Sequence, residues 1–399
     1  MCLIQDRNIV CIASSWDEHP TSKHHVMRIL SERNNVLWVN YHASRRPKLN
    51  RSDSLMIVRR LRQAFRGSRR VAPTIEVLSP LLLPMPESLA ARFLNARLLA
   101  RQINAALRRL PKRPTQLWLF TPDAPELINL LDTERVVYYC VDEFAAFSGF
   151  NVDLITRLEE KTCAAADVVI ATSQPLYERL AENYHNTHLV LHGVDLDHFA
   201  SSEQVPIGQI PDEVRDLTRP VFGYVGLIND YVDLDLIAAV ARRQPAWSFV
   251  LIGSVRCDAD VVSGLQDVHL LGGRPYEDLP RYCRAFDVGL IPFRMNRLTH
   301  AVNPIKLREY LAAGLPVISS PMPEVLRYRP AVHTAETVDQ FIAVAAAALA
   351  DGRDRNPASR RAMVRDEGWR ARVAQLSEIV SAERATPTEV PPALATATT

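Results

Sequence analysis

Asn303-Pro304-Ile305-Lys306-Leu307-Arg308-Glu309-Tyr310-Leu311-Ala312-Ala313-Gly314-Leu315-Pro316-Val317-Ile318-Ser319 is the stretch on which the fold turns. It carries the punctuation of a short helix followed by a buried strand. Asn303 is a good N-cap residue, and Pro304 suits the first helical position, where no amide hydrogen is needed. Leu307, Tyr310 and Leu311 recur at i, i+3 and i+4, which gives one apolar face. Gly314 can take the left-handed conformation that ends a helix, and Pro316 forbids continuation. Lys306 and Glu309 stand three apart and share a polar face near the helix start. The unpaired amides of such a start attract phosphate, and Lys306 adds a full positive charge. Glu309, one turn deeper, can accept hydrogen bonds from neutral hydroxyls such as those of a ribose. Phosphate first, sugar second is the order along a nucleotide. A capped surface helix with an ordinary Lys/Glu pair has the same pattern, and spacing alone does not separate the two.

Around this stretch lies a chain of 399 residues, too long for one ordinary core and suited to two domains. Its apolar share of 47% and charged share of 23% are those of a globular protein in water. A net charge of +2 gives no global electrostatic instruction. Cys2, Cys11, Cys140, Cys163, Cys257 and Cys283 are scattered without metal-type pairing and read as small buried hydrophobes of a reducing compartment. Met1 to Ala13 lacks a charged leader before an apolar run, and no run is long enough to span a bilayer. The expected location is cytoplasmic, with peripheral contact to the inner face of the cell membrane left open.

Short β-rich runs alternate with amphipathic helices along the chain. Asn8 to Ala13, Val36 to Tyr41, Gln116 to Phe120, Val136 to Cys140 and Val168 to Ala171 read as buried parallel strands. Ile75 to Leu83 holds a further strand, and a long helix runs from about Glu87 to Leu110. Val221 to Val225, Ser248 to Gly253, Val268 to Leu271 and Val288 to Pro292 repeat the pattern in the second half. This is the signature of α/β, doubly wound parallel sheets, which bind ligands beyond the carboxyl ends of their strands. The division expected is a Rossmann-like domain over 1–200, a polar linker over 201–220, a second Rossmann-like domain over 221–358, a helix over 359–384 and a Pro/Ala/Thr-rich tail over 385–399. After Ala331 the pattern is helical.

Several loops carry candidate chemistry. Asp142 follows a buried strand, where a carboxylate can meet a ligand in the cleft or cap the next helix. Gly226 ends the strand Val221 to Val225 and would let a backbone amide approach a phosphate. Of His24 and His25, one is expected simply to pack against the sheet. Between Arg45 and Arg70 stand ten Lys/Arg residues against one acid, Asp53, interleaved with Leu55, Met56, Ile57, Val58, Leu61 and Phe65. Such a run suits an anionic membrane surface, or else a solvated loop. No nucleic-acid recognition motif accompanies it.

The segment from Asn303 to Ser319 resembles the donor-binding helix of retaining GT-B-fold glycosyltransferases of the family 4 type, the glycosyl transferases of group 1. Further likenesses are Ala166-Asp167-Val168-Val169-Ile170-Ala171-Thr172-Ser173, His192-Gly193-Val194-Asp195, Gly272-Gly273-Arg274-Pro275-Tyr276 and Gly368-Trp369. The resemblance implies two domains facing each other across a cleft, with a C-terminal helix crossing back to the first. It implies a transferase moving a sugar, of hexosyltransferase type, from a nucleoside-diphosphate donor to a carbohydrate or lipid-linked hydroxyl acceptor, in cell-surface polysaccharide or glycolipid synthesis. It further implies retention, no metal and no cofactor, since the nucleotide sugar is a substrate. Asn303 and Lys306 would hold phosphate, Glu309 the ribose and Arg274 the base, with Gly226 at the diphosphate and Asp142 as the catalytic candidate. The chain departs from the pattern in four places. Ala301 stands where a first Glu is usual, no Lys or Arg follows Gly226, Val141 replaces a His, and the loop after the first strand lacks glycine. A catalytically silent nucleotide-sugar-binding partner and a sugar-nucleotide epimerase of the same fold are the competing readings. The pairs Asp195-x-Asp197 and Asp233-x-Asp235 read as landmark and cap residues, not a metal motif.

Overall fold

The computed structural model describes residues 3–41, 67–83, 85 and 87–382. The basic run from 42 to 66 and the tail from 383 therefore lie outside the described residues. Two sheets organise the rest. The first contains β1 (Asn8–Ala13), β2 (Asn35–Asn40), β3 (Ser68–Ala72), β4 (Ile75–Leu78), β5 (Thr115–Leu119), β6 (Arg135–Cys140), β7 (Val168–Ala171) and β8 (Thr187–Leu189), in the order β3-β4-β2-β1-β5-β6-β7-β8. All its pairings are parallel except β3 on β4. The second sheet is wholly parallel and contains β9 (Val221–Val225), β10 (Ser248–Ile252), β11 (Val268–Gly272), β12 (Val288–Ile291), β13 (Val317–Ser319) and β14 (Val332–Thr334), in the order β11-β10-β9-β12-β13-β14. The strands β1, β7, β9, β10 and β12 are buried throughout, and β6 from Val136 onward, as their unbroken apolar runs require.

The GT-B architecture expected from the sequence is the one observed. The last helix, Trp369–Ser381, crosses back and packs on the helix Ser22–Leu30 of the first domain. Trp369, Val373, Leu376 and Val380 join Val26, Met27 and Leu30 in one apolar cluster. Gly368 forms a parallel bridge with Val194, which ties the crossing point to the end of the first domain.

Some local expectations need correction. At the end of the basic run, Ser68–Ala72 is an antiparallel edge strand, with Arg69 ion-paired to Asp17. The region after Ala331 begins with strand β14, three residues too short to announce itself by periodicity. The long helix runs Leu89–Leu107, capped by Ser88, whose side chain accepts from the Ala91 amide.

Candidate functional site

The decisive helix spans Ile305–Ala312 and lies between β12 and β13, so its start opens at the carboxyl edge of the second sheet. Leu307 and Leu311 are fully buried and Tyr310 nearly so. Burying each leucine contributes roughly 1.5–3 kcal/mol. Tyr310 also positions the neighbouring strand end, because its hydroxyl accepts from the Val225 amide at 2.8 Å. The ring fits only because β12 carries Gly289, where a Cβ would overlap it.

Asn303 does not cap this helix. Pro304 occupies the cap position without a side-chain hydrogen bond. The Asn303 side chain is buried and turned to the domain seam, where Nδ2 donates to the Thr172 carbonyl at 2.6 Å and Oδ1 accepts from Arg308 Nη1 at 2.6 Å. Its expected contact with phosphate is thereby replaced by a structural one. The missing cap leaves first-turn amides without a side-chain acceptor, which suits an anion at this end.

Lys306 and Glu309 project from the buried helix as one pair. The Lys306 ammonium lies 5.8 Å from the Tyr224 ring centroid. Burial lowers its pKa against the pull of Glu309 and Asp142. Glu309 is 8% exposed, and burial pushes its carboxyl up to about 7, against Lys306 and with Asp195 adding to the rise. Asp142, half-buried just beyond β6, is likewise pushed up to about 7 by burial, opposed by Lys23 and Lys306. The structure therefore assembles Asp142 from the first domain with Lys306 and Glu309 from the second.

Gly226 has a different job from the one its position implies. Its amide donates to the Ile252 carbonyl at 2.7 Å and is not turned to a ligand. What Gly226 supplies is room: a Cβ there would overlap Lys306 Cε, and its φ of +150° is one that side-chain-bearing residues rarely adopt. Arg274 is also committed within the protein. Its Nη2 donates to Glu213 at 2.9 Å and 3.0 Å, and its Nε donates to Tyr282 at 2.8 Å. Reaching a base would mean breaking this bidentate pair.

Sequence reasoning missed the residues that close the cleft from the first domain. Lys23 sits in the first turn of the helix Ser22–Leu30. Tyr276 stacks on His198 with ring centroids 4.4 Å apart, and lies 5.6 Å from His25 and 5.7 Å from His19. The Tyr276 hydroxyl is buried without a partner, and Glu309 stands close enough to raise its pKa further. His24 packs on Trp38 at 4.7 Å as expected, but His25 stacks on Trp369 at 5.0 Å and 5°. The available signal was Thr21-Ser22-Lys23-His24-His25, a polar cluster opening a helix directly after a buried strand and loop.

The seam between domains is specific. Ser173 Oγ donates to the Ala301 carbonyl at 2.6 Å, and the Gln174 amide to Glu324 at 2.6 Å. Glu143 receives Arg179 of its own domain at 2.9 Å and Arg297 of the other at 3.0 Å. Ala301, where the resemblance calls for a carboxylate, is buried in this seam. Asp195 and Asp233 cap their helices by accepting from the His198 and Leu236 amides. Among the described residues, no three His, Cys, Asp or Glu side chains are grouped to hold a metal ion.

Residues 219–351 match the family model described as Glycosyl transferases group 1. That match covers the second sheet and its helices, and the class that the two facing sheets define is the GT-B fold. A relative is the putative teichuronic acid biosynthesis glycosyltransferase TuaH of Bacillus subtilis, 26% identical over 289 residues, covering 67% of this chain and 72% of that protein. Sucrose-phosphate synthase from Thermosynechococcus elongatus superposes with a TM-score of 0.68 at 16% identity, over 94% of this chain and 98% of that one. The Anabaena protein HepE in complex with UDP and glucose gives a TM-score of 0.64 at 15% identity, over 94% of this chain and 99% of that one. At these identities the solved structures bear on the fold.

Proposed function

We propose that this glycosyltransferase moves a sugar, with retention and without a metal ion, from a nucleoside-diphosphate sugar to a hydroxyl acceptor. The observation that carries the reading is half-buried Lys306 with buried Glu309 on an uncapped helix start, near enough to Asp142 of the other domain to act on its carboxyl. The helix amides and Lys306 stabilise charge on the departing diphosphate, worth most in a site closed to water. Glu309 accepts from the ribose hydroxyls. Asp142, with a pKa near neutrality, is placed to exchange a proton with the acceptor or to hold its hydroxyl. The UDP bound by HepE makes uridine the first base to try.

The acceptor side favours a lipid-linked substrate handled at the inner membrane face, as cell-surface polysaccharide or glycolipid synthesis would require. Leu89 and Phe93 are 79% and 60% exposed at the start of a helix that carries Arg92, Arg97 and Arg101 and no acid. No helix among the described residues is long and apolar enough to cross a membrane. The test is a screen of UDP-, GDP- and dTDP-sugars for hydrolysis and for transfer to short-chain lipid acceptors, with chelator present. Turnover of one donor to a product of unchanged anomeric configuration supports the proposal. Stabilisation by a nucleotide sugar without turnover would make the chain a silent binding partner, and epimerised donor would make it an epimerase.

A further inference from the structure

Resting on the donor-site reading above, we infer that Lys23 of the first domain is the second cation of the diphosphate site, standing in for the basic pair that is absent after Gly226. Residues 227–233 are Leu, Ile, Asn, Asp, Tyr, Val and Asp, so this loop offers no positive charge. Beside it, Arg294 is bound to Asp235 at 2.5 Å and Asp233 at 3.5 Å, and Arg256, whose amide donates to the Ile228 carbonyl at 2.8 Å, is exposed. A departing diphosphate carries more charge than Lys306 alone can balance, which leaves a place for a further donor.

The first domain brings one to the right place. Lys23 lies in the first turn of the helix Ser22–Leu30, and that end of the helix reaches the second domain, since His25 and His19 meet the Tyr276 ring at 5.6 Å and 5.7 Å. Tyr276 in turn lies beside Glu309, on the donor helix. The Lys23 ammonium is directed by the end of β1: it donates to Ser14 Oγ, and Ser14 donates to Glu18 at 2.5 Å. Lys23 and Lys306, one from each domain, both stand close enough to the Asp142 carboxyl to oppose the rise in its pKa. A bridging diphosphate would meet a cation from each side and draw the domains together.

The rival account makes Lys23 a tether that only holds the loop through Ser14. Lys23→Gln separates the two, because the amide can still donate to Ser14 while the charge is gone. Lys23→Met removes both, and Lys23→Arg keeps the charge. Calorimetric titration would use whichever of UDP, GDP and dTDP wild type binds most tightly, and the matching nucleoside, on all four proteins. The expected result is at least a ten-fold loss of diphosphate affinity in Lys23→Gln and Lys23→Met, recovery in Lys23→Arg, and unchanged nucleoside affinity throughout. Wild-type diphosphate affinity in Lys23→Gln, or an equal loss for diphosphate and nucleoside, would overturn the inference. Failure of wild type to bind any of the three diphosphates would instead sink the donor-site reading on which it rests.

Discussion

Gly226 shows how one absent side chain sets a site. The ammonium of Lys306 reaches the cleft through the space that a Cβ at 226 would fill. Gly226→Ala must therefore push the flexible end of Lys306 aside, as well as strain a φ of +150°. We expect nucleoside-diphosphate affinity to fall by about 1.5–3 kcal/mol, the worth of a charge-assisted contact, while nucleoside affinity holds. Parallel titrations with the two ligands check it, and equal losses would mean that the strand end itself had moved. Asp123 makes a different residue-scale prediction. It is 6% exposed in a crevice between the helices Leu89–Leu107 and Val152–Ala165, one carboxyl oxygen has no partner, and burial pushes its pKa up to about 6. A raised folded-state pKa favours the native protein below the unfolded value and withdraws that support as pH climbs through the folded value. Stability from this group is thus lost between about pH 4 and pH 6, by at most about 3 kcal/mol for a two-unit shift. Asp123→Asn should unfold at higher urea than wild type at pH 7 and should lose the advantage at pH 4. An advantage that does not change with pH would show that the carboxyl does not titrate in this range.

At the scale of the element, the helix Ile305–Ala312 was legible in its apolar stripe, its Lys306/Glu309 face and its Gly314 stop. These are local signals, carried within a dozen residues. Its N-terminus was not legible, because Asn303 answers to partners far along the chain: Thr172 is 131 positions away, and Arg308 is fixed in turn by Glu367 at 2.7 Å. A residue that is a good cap by type was diverted by a buried guanidinium that needed an acceptor. Arg274 and Lys23 illustrate the same limit, since neither Glu213 nor the approach of the first helix to Tyr276 leaves a trace in spacing. The strands β8 and β14 have three residues each, too few to show a period, and lack the Gly-x-Pro stop that announces the equally short β13. Asn303→Ala would take the acceptor from Arg308 Nη1, fully buried with another nitrogen already unpartnered, and the donor from Thr172. A loss of about 3 kcal/mol is expected in urea unfolding. A loss below about 0.5 kcal/mol would show that the seam does not depend on this side chain.

Among the described residues the domains meet at the crossing helix that begins at Trp369, at the seam through Asn303, Ser173 and Glu143, and where His19 and His25 approach Tyr276. The cleft lies against this seam, with Asp142 next to Glu143 and with Lys306 three residues beyond Asn303. Domain approach and site geometry are therefore one property, and the two-sheet plan was readable in the alternation of runs because each sheet buries both faces. At this scale one proposal governs the rest: a nucleoside diphosphate binds at the start of the helix Ile305–Ala312. A crystal structure of the complex with the nucleotide that wild type binds most tightly tests this most directly. Phosphate oxygens are expected within about 3 Å of the Lys306 ammonium and the first-turn amides, and ribose hydroxyls on Glu309. A nucleotide seated elsewhere, or one whose ribose and phosphates avoid Glu309 and Lys306, would contradict it.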